Sequence, residues 1–137
     1  MDIRPITPDY AVSPQIAPSD MPAIVAAGFT CIICNRPDAE NPPATQASAI
    51  QTAAEAAGLT FVNNPVTHQG LNMDMVHTQR DAAAVGKTLA YCASGTRSSV
   101  VWALSQAGTL STDDILAATT HAGYDLGGMR PQLDSLS

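Results

Sequence analysis

Aromatic side chains are scarce, at 4% of 137 residues, so the core has to be aliphatic and alanine-rich. Charge is scarce too: 13% of residues are charged, and only 6 Lys and Arg stand against 12 Asp and Glu, for a formal net charge of −6. The cations are spread along the chain, which leaves no basic stripe to follow a phosphate backbone, and nucleic acid is excluded as a partner. No run reaches the roughly 18 apolar residues of a membrane-spanning helix. The first ten residues, MDIRPITPDY, have neither the basic start nor the apolar stretch of a secretory signal. No membrane partner is expected. Cysteines are few, at 3, which suits a reducing compartment, so the expected location is cytoplasmic. The histidines His68, His77 and His121 show no metal-ligand spacing. Neither metal nor cofactor is expected.

What is present is a length suited to one domain over residues 1–137 and a 45% hydrophobic content sufficient for a core without staples. Residues 3–17 carry three prolines between short apolar pieces, which predicts an edge hairpin. Ser19 is expected to cap a helix that runs to Gly28. Phe29–Cys34 (FTCIIC) reads as a strand buried on both faces. A Pro-rich loop, Asn35–Ala44, leads to a helix from Thr45 or Gln46 to about Ala57. Leu59–Val62 is a further strand, Asn63–Gly70 a loop, and Leu71 to about Val85 a helix. Thr88–Tyr91 is the next strand, with a helix from about Ser98 and another capped by Ser111; a short final helix covers about Leu126–Leu133. Successive strand–helix units predict an α/β fold with a central, mostly parallel sheet flanked by helices. Ligands of such sheets sit outside the carboxyl ends of the strands. The loops Asn35–Ala44, Asn63–Gly70 and Cys92–Ser98 are expected to meet there.

The chemistry concentrates in Cys92-Ala93-Ser94-Gly95-Thr96-Arg97-Ser98, between a strand and a helix. Backbone N–H groups of such a loop and of the first helical turn lack intrahelical partners and converge. The helix dipole adds positive charge, and Arg97 adds a fork of donors suited to an oxyanion. A positively charged Arg in the first turn of a helix opposes the macrodipole unless an anion lies there. The expected site is therefore an activated nucleophile, Cys92, beside an anion cradle formed by Ala93, Ser94, Gly95 and Thr96 with Arg97. Arg36 and Asp38 in the first loop and His68 in the second are candidate auxiliary residues. Cys31 and Cys34 form a Cys-x-x-Cys, but within a strand they point to opposite faces, which predicts core packing rather than a shared disulfide or metal.

The stretches AVSPQIAPSDM, CNRPDAE, GLTFVNNPVT, YCASGTRSSVVWALSQAG and AGYDL resemble the small bacterial family labelled beta-lactamase hydrolase-like protein, phosphatase-like domain. The resemblance runs over nearly the whole chain. It implies the fold of the tyrosine and dual-specificity cysteine phosphatases, and it implies a neighbourhood of sulfide- and persulfide-oxidising proteins, since members occur fused to them or encoded nearby. The family pattern of those phosphatases is Cys-x5-Arg after a His, with an Asp general acid on an upstream loop. Here the spacing is one shorter and resembles the rhodanese loop, Tyr91 replaces the His, and Val66-Thr67-His68 offers no carboxylate.

That missing acid can be weighed. Proton donation to a departing alkoxide or phenoxide contributes typically 10²–10⁴-fold, or about 3–5 kcal/mol of barrier. Sulfite leaves thiosulfate without a proton. The preferred expectation is therefore an enzyme that transfers sulfane sulfur from thiosulfate or a persulfide through Cys92, with Arg97 holding the anionic group and Ser98 stabilising the thiolate. The alternatives are a phosphatase acting through a cysteinyl phosphate, and a non-catalytic module that binds anions or persulfides. The expected partner is in every case a small anion, and the oligomeric state stays open.

Overall fold

The computed structural model describes residues 1–67 and 70–137, so His68, singled out above, lies outside the described residues. Five strands form one sheet: β1 (Arg4–Thr7), β2 (Tyr10–Ser13), β3 (Cys31–Cys34), β4 (Thr60–Asn63) and β5 (Thr88–Tyr91). Their order across the sheet is β1-β2-β5-β3-β4. Only β1 runs antiparallel to its neighbour; the other pairings are parallel. The fold is thus the mixed α/β architecture expected from the repeated strand–helix units.

Two apolar clusters explain why the strands read as they do. Tyr10, Val12, Cys31, Ile33 and Ala90 point to one face, where they pack with Trp102, Ile115 and Leu133 from helices α4 (Thr96–Gln106), α5 (Thr112–His121) and α6 (Arg130–Leu136). The helix α3 (Met73–Ala83) joins that side through Val76. Ala11, Ile32, Cys34, Leu89 and Tyr91 point to the other face, covered by Met21 and Ile24 of α1 (Met21–Ala26) and Ile50 and Ala54 of α2 (Ala47–Ala56). Strands covered on both faces have no polar side to show, hence their unbroken apolar runs. Cys31 and Cys34 fall into different clusters as the two-residue period requires.

The topology puts the central strand last in sequence. β5 is inserted between β2 and β3, so the loop that leaves its carboxyl end is flanked by the ends of both neighbours. Cys34 sits opposite Tyr91 in register, and Ser13 opposite the same residue on the other side.

Two local expectations need correction. Ser19 does not cap a helix: Pro18–Asp20 is a 3₁₀ turn, and the Asp20 carboxylate accepts a hydrogen bond from the Ala17 N–H at 2.8 Å. A carboxylate is a stronger acceptor than a hydroxyl and one residue further on reaches back to close the turn. Helix α4 begins at Thr96 rather than Ser98 because Gly95, with φ of 94°, makes the reversal at its N-cap. Ser111 does cap α5, accepting from the Asp114 N–H at 3.1 Å. Among the described residues no helix is long and apolar enough to cross a membrane.

Candidate active site

β5 is fully buried and ends at Tyr91, so Cys92 starts the loop at the floor of the sheet edge, with 1% of its surface exposed. The Gly95 N–H donates to Cys92 Sγ at 3.0 Å, a bond the αL turn at Gly95 makes by aiming that amide back across the loop. The N–H groups of Ala93, Ser94, Arg97 and Ser98 make no hydrogen bond to the described residues, which leaves a set of donors along the loop and the first turn of α4. The loop is braced from outside. Tyr124 donates its phenol to the Ser94 carbonyl at 2.9 Å, and a Cβ on Gly95 would collide with that phenol oxygen. Ser99 donates to the Gly95 carbonyl at 2.8 Å.

Arg97, in the first turn of α4, has found the anion that its position demands, and it is protein. Its Nη1 and Nη2 donate to Glu40 Oε2 and Oε1 at 2.8 and 2.7 Å, and Nη1 also donates to the Val66 carbonyl at 3.0 Å. One carboxylate from the first loop and one carbonyl from the second therefore hold the arginine of the third. The three loops do meet. The Arg97 side chain is 24% exposed and that of Glu40 27%, so the pair is half-buried rather than solvated. Hydrogen bonding from Arg97, ahead of an opposing burial effect, holds the Glu40 carboxyl below its ordinary value; Glu40 and, less strongly, Cys92 hold the Arg97 guanidinium above its own. The guanidinium thus lies beside Cys92 as well as against Glu40.

Arg36 Nε donates to Glu40 Oε1 at 3.3 Å, its Nη2 to the Glu40 carbonyl and its Nη1 to Gln15 Oε1; it supports Glu40 from behind. Asp38 is occupied at the start of α2, where it accepts from the Ala47 N–H at 2.8 Å. Ser94 and Thr96 share a hydroxyl contact at 3.0 Å on the exposed side of the loop. Ser98 departs from its expected role: its hydroxyl donates to Asn35 Oδ1 at 2.8 Å and is fully buried, so its single proton does not go to Cys92.

That bond opens onto a polar network which sequence reasoning missed. Asn35 donates to the Asn64 carbonyl and to Gln79 Oε1 at 2.8 and 2.6 Å, and accepts from Gln79 Nε2 at 2.9 Å. Gln79 Nε2 also donates to the Tyr10 phenol at 2.8 Å, which donates on to the Ser98 carbonyl at 3.1 Å. Burial pushes the Tyr10 phenol well above its ordinary value. All five residues are buried, and together they tie β2, β3, the end of β4 and α3 to the first turn of α4. Glu40 was missed for a different reason: its partner is 57 positions away. The available signal was an acidic residue four after Arg36 at the sheet's carboxyl edge. Tyr91, in place of the phosphatase histidine, is buried with its hydroxyl unpartnered among the described residues, and burial with Cys34 nearby drives its phenol far up. Among the described residues no group of three or more His, Cys, Asp or Glu is arranged to hold a metal ion.

Comparison with known proteins places this geometry. The family beta-lactamase hydrolase-like protein, phosphatase-like domain, matches residues 2–109. A beta-lactamase hydrolase-like protein of Xylella fastidiosa (strain Temecula1) is 34% identical over 131 residues, which cover 93% of this chain and 30% of that protein. The chain thus spans about a third of the length of the curated relatives it matches. A crystal structure of a candidate phosphatase from Neisseria meningitidis Z2491 superposes with a TM-score of 0.86 at 33% identity, covering 100% of this chain and 99% of that one. A kinase-associated phosphatase with its catalytic-site cysteine changed to serine gives a TM-score of 0.69 at 13% identity, covering 92% and 84%, a likeness of fold alone. The names and the fold are those of phosphatases and lend nothing to sulfur transfer.

Proposed function

Since this chain belongs to the beta-lactamase hydrolase-like protein, phosphatase-like domain family, we propose that it is a covalent catalyst working through Cys92, and that the group it carries is sulfane sulfur. The observation behind that choice of group is Glu40. It is the carboxylate bound at the cradle, and its two oxygens are taken by Arg97 in a pairing that keeps it ionised. An ionised carboxylate cannot protonate a leaving alkoxide, and Asp38, on the same loop, is spent on the Ala47 N–H at the start of α2. A site with free amide donors, whose Glu40 is held as the carboxylate, suits a leaving group that departs as a stable anion.

In the proposed cycle the Cys92 thiolate, held by the Gly95 N–H, attacks the outer sulfur of a persulfide anion R–S–S⁻ or of thiosulfate. The new bond is Cys92 S–S; the bond broken is that to the donor's inner sulfur, which leaves with the electron pair as a thiolate or as sulfite. A thiol or cyanide then attacks the terminal sulfur and releases the Cys92 thiolate. Free N–H groups of Ala93, Ser94, Arg97 and Ser98 hold the anionic portion. Turnover of thiosulfate with cyanide, or of glutathione persulfide with a thiol, tests this. Activity lost in Cys92→Ser is the expected result, and no turnover by the unmodified protein with either donor rejects it.

The second reading is a phosphatase acting through a cysteinyl phosphate, and the family label with the fold comparisons favours it. It needs a proton donor, for which His68 or a more distant carboxylate is the candidate. Steady hydrolysis of phenyl phosphate, whose phenoxide leaving group needs the proton, that depends on both Cys92 and His68 would establish it over sulfur transfer.

A further inference from the structure

We propose that Glu40 sets the charge of the anion this cradle accepts, favouring singly charged donors such as alkyl persulfide anions over dianions such as thiosulfate or phosphate monoesters. The proposal rests on the reading of Cys92 as a cradle-bound nucleophile and narrows its substrate class.

A guanidinium has five N–H donors, four of them paired on two bidentate edges and the fifth on Nη1. Glu40 occupies the end-on edge, Nη1 with Nη2, and the Val66 carbonyl takes the remaining Nη1 proton. The side-on edge, Nε with the second Nη2 proton, makes no hydrogen bond to an oxygen among the described residues. An oxyanion at Cys92 can therefore use that edge while Glu40 stays in place. It then meets an arginine whose charge is already shared. Arg36 and Arg97 supply two positive charges, and Glu40, bonded to both, removes one. With the thiolate present, the charged groups of the cradle sum to zero before a substrate arrives. What remains is the set of amide dipoles, which suits one negative charge better than two. The Glu40 pairing is half-buried, so its charge is less screened than that of a surface carboxylate.

The alternative role for Glu40 is to orient Arg97 and nothing more, and the two roles differ in sign. Sulfate and methanesulfonate, tetrahedral oxyanions of charge −2 and −1, are titrated by calorimetry at fixed ionic strength into Cys92→Ser and into the same protein carrying Glu40→Gln. Gln keeps an acceptor for Arg97 and loses the charge. If Glu40 selects on charge, sulfate binding tightens about tenfold and methanesulfonate only about threefold, a tenfold step being about 1.4 kcal/mol. Glu40→Asp, which keeps the charge, retains the parent's discrimination. Sulfate binding that is unchanged or weaker in Glu40→Gln overturns the proposal and leaves Glu40 as a positioning residue. Absence of measurable binding of either anion to any of the proteins overturns the cradle itself, a failure separable from the first.

Discussion

Replacing Asn35 by Ala removes the hub of the network beneath the cysteine loop, and its cost follows from the bonds that its side chain makes. Four hydrogen bonds go: to the Asn64 carbonyl, to Gln79 Oε1, from Gln79 Nε2 and from Ser98 Oγ. Gln79 Nε2 and the Asn64 carbonyl are differently affected, since Gln79 keeps Tyr10 as an acceptor while the Asn64 carbonyl loses its Asn35 donor. Each net bond contributes about 0.5–1.5 kcal/mol, and each stranded buried group costs about 1–3 kcal/mol. With some relaxation the sum is about 3–5 kcal/mol, the upper range for a point substitution. In a domain of this size that lowers Tm by roughly 10–20 °C. Urea unfolding followed by fluorescence is the assay, because Trp102 is the single tryptophan and its ring lies 6.3 Å from that of Tyr10 in the same network. Ser98→Ala, which breaks one bond, should cost only about 0.5–1.5 kcal/mol. In the double variant the Ser98 change should cost almost nothing further, because its acceptor is already gone. An Asn35→Ala loss below about 1 kcal/mol, or strict additivity with Ser98→Ala, would refute the hub.

Gly95→Ala should destabilise by about 2–3 kcal/mol, from left-handed backbone at φ of 94° and displacement of the Tyr124 phenol; adding Tyr124→Phe, with thermal melts as readout, should recover only the part due to the phenol. The folded-state pKa of Glu40 is depressed by Arg97, so its contribution to stability is fully present above the ordinary carboxylate range and is lost as pH falls through the folded value. Glu40→Gln should accordingly flatten the stability curve below about pH 5 and leave its slope near neutrality unchanged, as read by denaturation at a series of pH values. Cys31 and Cys34 are buried with thiols pushed up by burial, so neither should react with iodoacetamide in the native protein at neutral pH, as peptide mapping would show.

The fold was legible because its signals are local. FTCIIC and TLAY are apolar on both faces, and only a covered parallel strand tolerates that pattern. The loop after β5 was legible because Cys, Gly and Arg stand at fixed offsets between a strand and a helix. What could not be read is what depends on contact across the fold. Asn35, Asn64 and Gln79 look in sequence like solvated loop and helix amides; they are core residues only because three elements converge there. Glu40 looked like one more charge in a Pro-rich loop, and its value comes from Arg97 arriving on α4. The same contact explains Ser98: once Asn35 lies beneath the first turn of α4, the Ser98 hydroxyl donates its proton to the Asn35 Oδ1 at 2.8 Å.

Whether Cys92 carries sulfane sulfur is read most simply by intact-protein mass analysis. The protein is incubated in parallel with glutathione persulfide, thiosulfate and p-nitrophenyl phosphate, then analysed whole and as peptides. A gain of one sulfur atom is predicted, located on Cys92, removed by cyanide and absent from Cys92→Ser. A phosphoryl group on Cys92 with no sulfur adduct from either donor would contradict it and leave the phosphatase reading in its place.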